Sequence, residues 1–303
     1  MVKIAIIIPY FGEWPAWTPL FLNSCRHNST LDFFIFSDCD PHGFDKGQFP
    51  NIHLQRISFI DYCEYASQKL GLDFHPTRAY KLCDLKPYYG SIHSDILKDY
   101  GFWGFCDVDL VLGDLRSFYS EEVLKRYDVI SNHSDRVSGH FALIRNSEKF
   151  VSMPFEIPNY QQMLSSDRNY AVDEIAFTKR IYPMSSFLWK VHKWIFLKLP
   201  FHDEFKSYAK FCSLFNRMML PKRFLFQECF TTPWFGKETA AKQEVINSYQ
   251  WEYKEGHVYD LLERKEIPYL HFLSLKRYWS PDVCRASEPC DHVIVNLTGI
   301  CHA

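Results

Sequence analysis

Glycine is scarce: 12 in 303 residues, and nowhere arranged as GxGxxG or GxxxxGK[ST]. The dinucleotide fingerprint and the P-loop need such glycines to bring backbone amides against phosphate, so both are disfavoured. No CxxC pair occurs among the ten cysteines, which argues against a redox dithiol or a zinc ribbon. Several lie inside apolar runs, where a thiol acts as a small hydrophobe, and the expected compartment is reducing and cytoplasmic. The tail CRASEPCDHVIVNLTGICHA gathers Cys284, Cys290, His292, Cys301 and His302, but their spacing fits no common zinc pattern. An excess of charge is also missing. Lys plus Arg number 34 against 36 Asp plus Glu, a net −2, which excludes a generally basic nucleic-acid binder. The opening MVKIAIIIPYFGEW has an apolar run of about six residues, too short for a signal peptide or a membrane span. Repeats and low-complexity linkers are absent, so one domain over 1–303 is expected.

What the chain does have is aromatic density and alternation of strand-like with helix-like segments. KIAIIIPY (3–10), LDFFIFSD (31–38) and NIHLQRIS (51–58) read as strands, the first two buried on both faces of a parallel sheet. Residues 14–28, 59–71 and 78–99 read as helices, the last disturbed by Pro87. YDVISNHS (127–134) and HFALIRN (140–146) predict two further strands, and AVDEIAFTKRI (171–181) a helix with acids in its first turn. WEYKEGHVY (251–259) predicts a hairpin turning at Glu255-Gly256, and YLHFLSLKRYW (269–279) a late strand entering a loop. The expected class is α/β, a mainly parallel central sheet flanked by helices. Ligands in such sheets bind at the carboxyl ends of the strands, here Pro9–Gly12, Asp38 and the stretch around residue 107.

That stretch, FWGFCDVDLVLGDL (102–115), sets Asp107 and Asp109 inside an otherwise apolar run. Residues i and i+2 of an extended segment share a side, so both carboxylates can face one ligand. Held together they repel unless a cation lies between them or one is protonated. Hard oxygen donors suit Mg²⁺ or Mn²⁺, which keep positions for phosphate oxygens. The plain alternative is a strand end with two solvated aspartates, and an Asp-x-Asp triplet alone is common.

In context the run resembles the glycosyltransferases of the GT-A (Rossmann-like) fold, including bacterial cytosolic enzymes that extend surface polysaccharides. HFLSLKRYW (271–279) resembles the His-Phe…Lys…Trp segment of the glycogenin-like and galactosyltransferase group, with Ser274 where that group usually has Gly and Arg277 where it has Pro. The resemblance covers 1 to about 180 and 250–280. It implies that His271 joins Asp107 and Asp109 on a metal, with Mn²⁺ preferred over Mg²⁺ because of the imidazole, and that Lys276 holds the diphosphate of a nucleotide-sugar donor, a UDP-sugar. Pro9, Tyr10 and Phe11 would supply backbone groups and a ring for the base. Asp38 would accept from base or ribose, with Asp84 and Lys86 of KLCDLKP offered beside it. Their plain alternatives are a strand cap and solvated helix residues. Asp107 would also reach the donor. Asp173 and Glu174 are the catalytic candidates: a proton acceptor in inverting transfer, donor positioning in retaining transfer. The His-Phe…Lys ending resembles that of the retaining group, which implies retention. Ser138, Gly139 and His140 would touch donor sugar or acceptor, a glycan or lipid-linked molecule.

Residues 179–223 hold ten Lys or Arg (179, 180, 190, 193, 198, 206, 210, 217, 222, 223) against Asp203 and Glu204, interleaved with Phe187, Trp189 and Trp194. Such a segment can lie on an anionic membrane surface, which would make the protein peripheral on the inner face, or pack as an ordinary helical insertion over 182–249. Two other classes use similar residues: a non-catalytic carbohydrate- or membrane-binding protein, and a metal-dependent nucleotidyltransferase or phosphohydrolase.

Overall fold

Successive residues of the apolar runs go to opposite faces of one sheet, and both faces are covered. The computed structural model describes residues 1–40, 47, 49–196, 204–233, 249–279 and 291–302. Its strands are β1 (Ile4–Pro9), β2 (Leu31–Ser37), β3 (Ile52–Arg56), β4 (Phe102–Cys106), β5 (Leu110–Leu112), β6 (Val129–Ser131), β7 (Phe141–Arg145), β8 (Phe224–Phe226), β9 (Gln250–Lys254), β10 (His257–Asp260), β11 (Lys265–Ile267), β12 (Tyr269–His271), β13 (His292–Asn296) and β14 (Gly299–His302). The central sheet has the order β3-β2-β1-β4-β7-β6-β8. Only β7 runs against the others, so the sheet is mainly parallel, as expected.

Ala5 and Ile7 of β1, with Phe34, Phe36, Trp103 and Phe105, pack against Tyr62, Cys63 and Ala66 of α2 (Phe59–Leu70). Ile4, Ile6 and Ile8 take the other face with Phe33, Ile35 and Phe102, against Phe21, Leu22 and Cys25 of α1 (Thr18–His27). Burial on both faces is why these strands read as unbroken apolar runs. The start of α2 is set by Ser58, whose hydroxyl accepts from the Asp61 amide, and its end by Gly71 at φ 63°, where only glycine avoids the left-handed penalty.

Two expectations need correction. Residues 78–99 are not one helix: 3-10 turns at Ala79–Tyr88 and Leu97–Asp99 flank a single α turn, Tyr89–Ile92. Pro87 has no amide to donate, and its ring blocks the α ladder. Residues 182–249 are not wholly a helical insertion. Helices Ser185–Phe196 and Glu204–Met219 form, but Phe224–Phe226 returns as β8 on the edge of the central sheet. Residues 172–181 are helical with Asp173 and Glu174 in the first turn, as expected, the first turn Val172–Ala176 being π and Phe177–Ile181 α.

An antiparallel sheet, β11-β10-β9-β13-β14, covers the C-terminal side. Its β9–β10 hairpin turns at Glu255 (φ 49°) and Gly256 (φ 87°), as the sequence predicts. The tail from 292 supplies two of its strands, and Cys284 and Cys290 lie outside the described residues. No helix among the described residues is long and apolar enough to cross a membrane.

Candidate metal centre

The Asp-x-Asp stretch is not a continuous strand. β4 ends at Cys106, and residues 107–109 bend before β5 leaves the central sheet to pair with β12. The antiparallel register sets His271 opposite Leu110, and the Phe272 amide donates to the Asp109 carbonyl at 2.8 Å. Ribbon pairing therefore brings a residue from far along the chain onto the aspartates. Ligand atoms of Asp107, Asp109 and His271 lie within 4.8 Å of one another. His271 Nδ1 is 3.0 Å from the Thr232 hydroxyl, and its Nε2 is 3.4 Å from Asp109 Oδ1. If Nδ1 donates to Thr232, the Nε2 lone pair is left for a cation. Two carboxylates and an imidazole are a donor set for Mn²⁺, with positions to spare for phosphate oxygens. Asp107 retains 36% side-chain exposure, so the centre can be reached from solvent.

Each aspartate has its own lysine. Lys276 Nζ donates to Asp109 Oδ2 at 2.5 Å and Lys86 Nζ to Asp107 Oδ1 at 2.6 Å. Burial alone would raise the Asp109 pKa, but His271 and Lys276 hold it well below the usual carboxylate range. Two ammonium groups thus balance two carboxylates, and both sit where they can turn to an incoming phosphate.

Lys86 also joins the catalytic candidates to this centre. It donates to the Gly139 carbonyl at 2.7 Å and lies 3.9 Å from Asp173 Oδ2. The Gly139 amide donates to Glu174 Oε1 at 3.1 Å. A Cβ at Gly139 would stand 2.9 Å from Asp173 Oδ2 and from Glu174 Cγ, so only glycine lets this backbone so close. Burial pushes the Asp173 carboxyl up to about 7, partly offset by Lys86. The π turn carrying both acids starts from Ala171 in the left-handed region, φ 50° and ψ 49°, a conformation that costs a non-glycine residue about 1 kcal/mol or more. Asp84 holds it there: its carboxylate accepts from the Tyr170 and Val172 amides at 3.0 and 2.9 Å, either side of Ala171.

The remaining candidates divide. The Gly12 amide donates to Asp38 Oδ1 at 3.0 Å, joining the loops after β1 and β2. Tyr10 stacks on Trp14 at 5.1 Å and gives its hydroxyl proton to the Glu13 carbonyl. Pro9 ends β1 beside them. The Phe11 ring packs, half-buried, on Phe59 and Tyr62. Three others face inward. Asp84 is fully buried and bonded to Lys81, so it orders the loop and touches no donor. Ser138 is buried with its hydroxyl on His140. His140 stacks on His271 with ring centroids 4.1 Å apart and meets the Tyr269 hydroxyl at 3.0 Å. Burial, with His271 beside it, pushes its pKa well below the ordinary value and keeps it neutral. A buried imidazole needs such polar partners, so His140 backs His271 instead of facing an acceptor.

Thr232, His133 and Glu228 escaped the sequence reading. The chain returns from β8 so that the Thr231 carbonyl accepts from the His271 amide at 2.8 Å, and Glu228 Oε2 lies 3.3 Å from His133 Nδ1. No motif marks these positions; only the return of β8 to the sheet could have pointed to them.

No curated protein matches the chain. Solved structures that it resembles include mouse xyloside xylosyltransferase 1, at 9% identity over 54% of this chain and 72% of that one, TM-score 0.35. The galactosyltransferase LgtC, solved with donor and acceptor sugar analogues, is 8% identical over 57% and 71%, TM-score 0.32. The glycosyltransferase GlyE of Streptococcus pneumoniae TIGR4 is 15% identical over 74% and 45%, TM-score 0.29. Residues 6–301 match the model of the family of unknown function DUF6625, and the chain belongs to that family.

Proposed function

We propose that the protein is a glycosyltransferase of the GT-A type that moves a sugar from a UDP-sugar to a glycan or lipid-linked acceptor with retention. The observation that carries this reading is the convergence of Asp107, Asp109 and His271 with Lys86 and Lys276. It lies at the carboxyl end of parallel strands, where α/β sheets bind ligands. When bound at these three side chains, Mn²⁺ would stabilise the charge that builds on the departing diphosphate. Lys276 and Lys86 turn from the aspartates to the diphosphate oxygens and add to that stabilisation. The loops after β1 and β2, with Tyr10 and Asp38, take the nucleoside. Asp173 and Glu174, fixed against Gly139, orient the donor sugar. The sugar–phosphate bond breaks, the acceptor oxygen bonds to the same carbon on the same face, and its proton passes to the leaving diphosphate. The cellular setting of this reading is bacterial surface polysaccharide synthesis at the cytoplasmic face, with residues 182–223 toward anionic lipid.

A thermal-shift series with nucleoside diphosphates, with and without Mn²⁺, tests it. UDP at a hundred times its dissociation constant is expected to stabilise the fold by about 2.7 kcal/mol, and only with metal. Undiminished sugar transfer in EDTA, or release of pyrophosphate in place of UDP, would overturn the assignment.

The buried acid predicts a pH effect on stability. An Asp whose pKa is near 3.8 unfolded and about 7 folded destabilises the native state as pH rises between those values, and the penalty levels off above 7. In EDTA, Asp173→Asn is therefore expected to match the wild type near pH 4 and to be more stable than it at pH 8. Urea midpoints at the two pH values read the difference; a variant less stable at pH 8 would contradict it.

A further inference from the structure

We propose that a cavity beneath β6 and β8 is a second, separate anion site, shaped for a phosphate group. It is an open depression of about 370 Å³, ample for a phosphate and part of what it is attached to. Its wall brings together Lys149, Arg180, Lys222 and Arg223 from three distant stretches of chain, with Asp128 as the one carboxylate. Asp128 is already satisfied. Arg223 donates to both its oxygens at 2.6 Å, and Arg145 bonds it from the other side. Arg180 contacts Glu156. Lys149 and Lys222 have no carboxylate partner among the described residues, and Lys149 lies only over the Phe150 ring, 5.2 Å away. Five cations thus stand against two carboxylates, a local +3 in a chain whose net charge is −2.

That excess suits a group with two negative charges, gripped by arginine forks and lysine point charges, better than a single carboxylate. The site is distinct from the metal centre by topology. β6 and β8 run parallel, beginning beside the cavity at Val129 and Phe224 and ending at Ser131 and Phe226. His133 and Glu228 follow beyond those ends, so about 10 Å of strand lies between the two sites. The phosphate could belong to a small soluble molecule or to a lipid headgroup. The helix that leads into this wall, Glu204–Met219, leaves Leu214 and Met218 exposed, as an apolar neighbour of a headgroup site would.

The test uses Lys149→Glu/Lys222→Glu, two exposed side chains outside the metal centre, with Lys276→Ala as the control for phosphate bound there. Inorganic phosphate without divalent metal is expected to raise the melting temperature of the wild type and of Lys276→Ala, and not of the double variant. Sedimentation with phosphatidylglycerol and phosphatidylcholine vesicles distinguishes the sources. Binding to anionic vesicles alone, weakened about tenfold or more in the double variant, assigns the site to a headgroup. A phosphate shift without vesicle binding assigns it to a soluble anion. No response to either probe, or a response unchanged in the double variant, overturns the proposal.

Discussion

Asp109→Asn is expected to lower sugar transfer by about a thousandfold or more, with the fold intact. The carboxylate is the more confined of the two aspartates, buried between Lys276 at 2.5 Å and His271 at 3.4 Å. The amide keeps its shape and loses its charge. Backbone pairing survives, because the Phe272 amide bonds the residue 109 carbonyl and not its side chain. A metal centre contributes several kcal/mol to charge stabilisation in the transition state, and each 1.4 kcal/mol or so is a tenfold change in rate. Mn²⁺ affinity, read by electron paramagnetic resonance, should fall by about a hundredfold or more. Stability should also respond. Burial opposes ionisation of Asp109, but His271 and Lys276 outweigh it and hold its pKa low. Its stabilisation is present above the ordinary carboxylate range and is lost as pH falls below it. The Asn variant should thus be about 1.5–3 kcal/mol less stable at pH 7, the cost of hydrogen bonds to charged groups, and the gap should close in acid. A folded variant with wild-type, metal-dependent turnover would remove Asp109 from the chemistry.

The parts of the molecule legible in the sequence are those where one local pattern has one physical cause. β1, β2 and β4 show as unbroken runs because the sheet is covered on both faces, and the Glu255-Gly256 turn shows because two left-handed residues are needed there. Residues 78–99 mislead for a definable reason. Leu82, Leu85, Tyr89 and Ile92 follow a three-to-four residue spacing that a 3-10 turn satisfies as well as an α-helix does. The acids of 173–174 look like a helix start, yet Asp173 is turned toward Lys86 and buried. At the centre itself, Asp107, Asp109, His271 and Lys276 are legible through their resemblance to a known motif pair. The stacking of His140 on His271 and the contact of Thr232 with its ring are not. They arise where β7, the return from β8 and the β5–β12 ribbon meet, and no local pattern encodes that meeting.

Lys81→Met is expected to be the most destabilising single change, at about 3–5 kcal/mol, the usual cost of stranding one member of a buried ion pair. Lys81 is 1% exposed, and its ammonium donates to Asp84 Oδ2 at 2.8 Å and to the Met163 and Arg168 carbonyls at 2.6 Å each. Met fills similar volume but leaves the Asp84 carboxylate, itself 0% exposed, without a counter-charge. Removing the charge as well, in Lys81→Met/Asp84→Leu, should recover part of the loss and not all of it. The Met163 and Arg168 carbonyls and the Tyr170 and Val172 amides would still lack their partners. Urea midpoints of the two variants read this order, provided that the slope is unchanged. Amide hydrogen exchange gives a readout that bulk stability does not. Protection of Tyr170 and Val172, which depends on Asp84, should fall in the double variant before that of the β1 and β4 amides. The functional consequence follows from which element carries what. Asp107, Asp109, His271 and Lys276 sit outside residues 163–174, so Mn²⁺ and UDP should bind the folded double variant within about twofold of wild type. Asp173 and Glu174 start one residue after the clamped Val172, so kcat should fall by about a hundredfold, the penalty for small misplacement at a reacting centre. Unchanged protection at Tyr170 and Val172, or an unchanged kcat in the folded double variant, would show that the buried pair does not hold the acids in place.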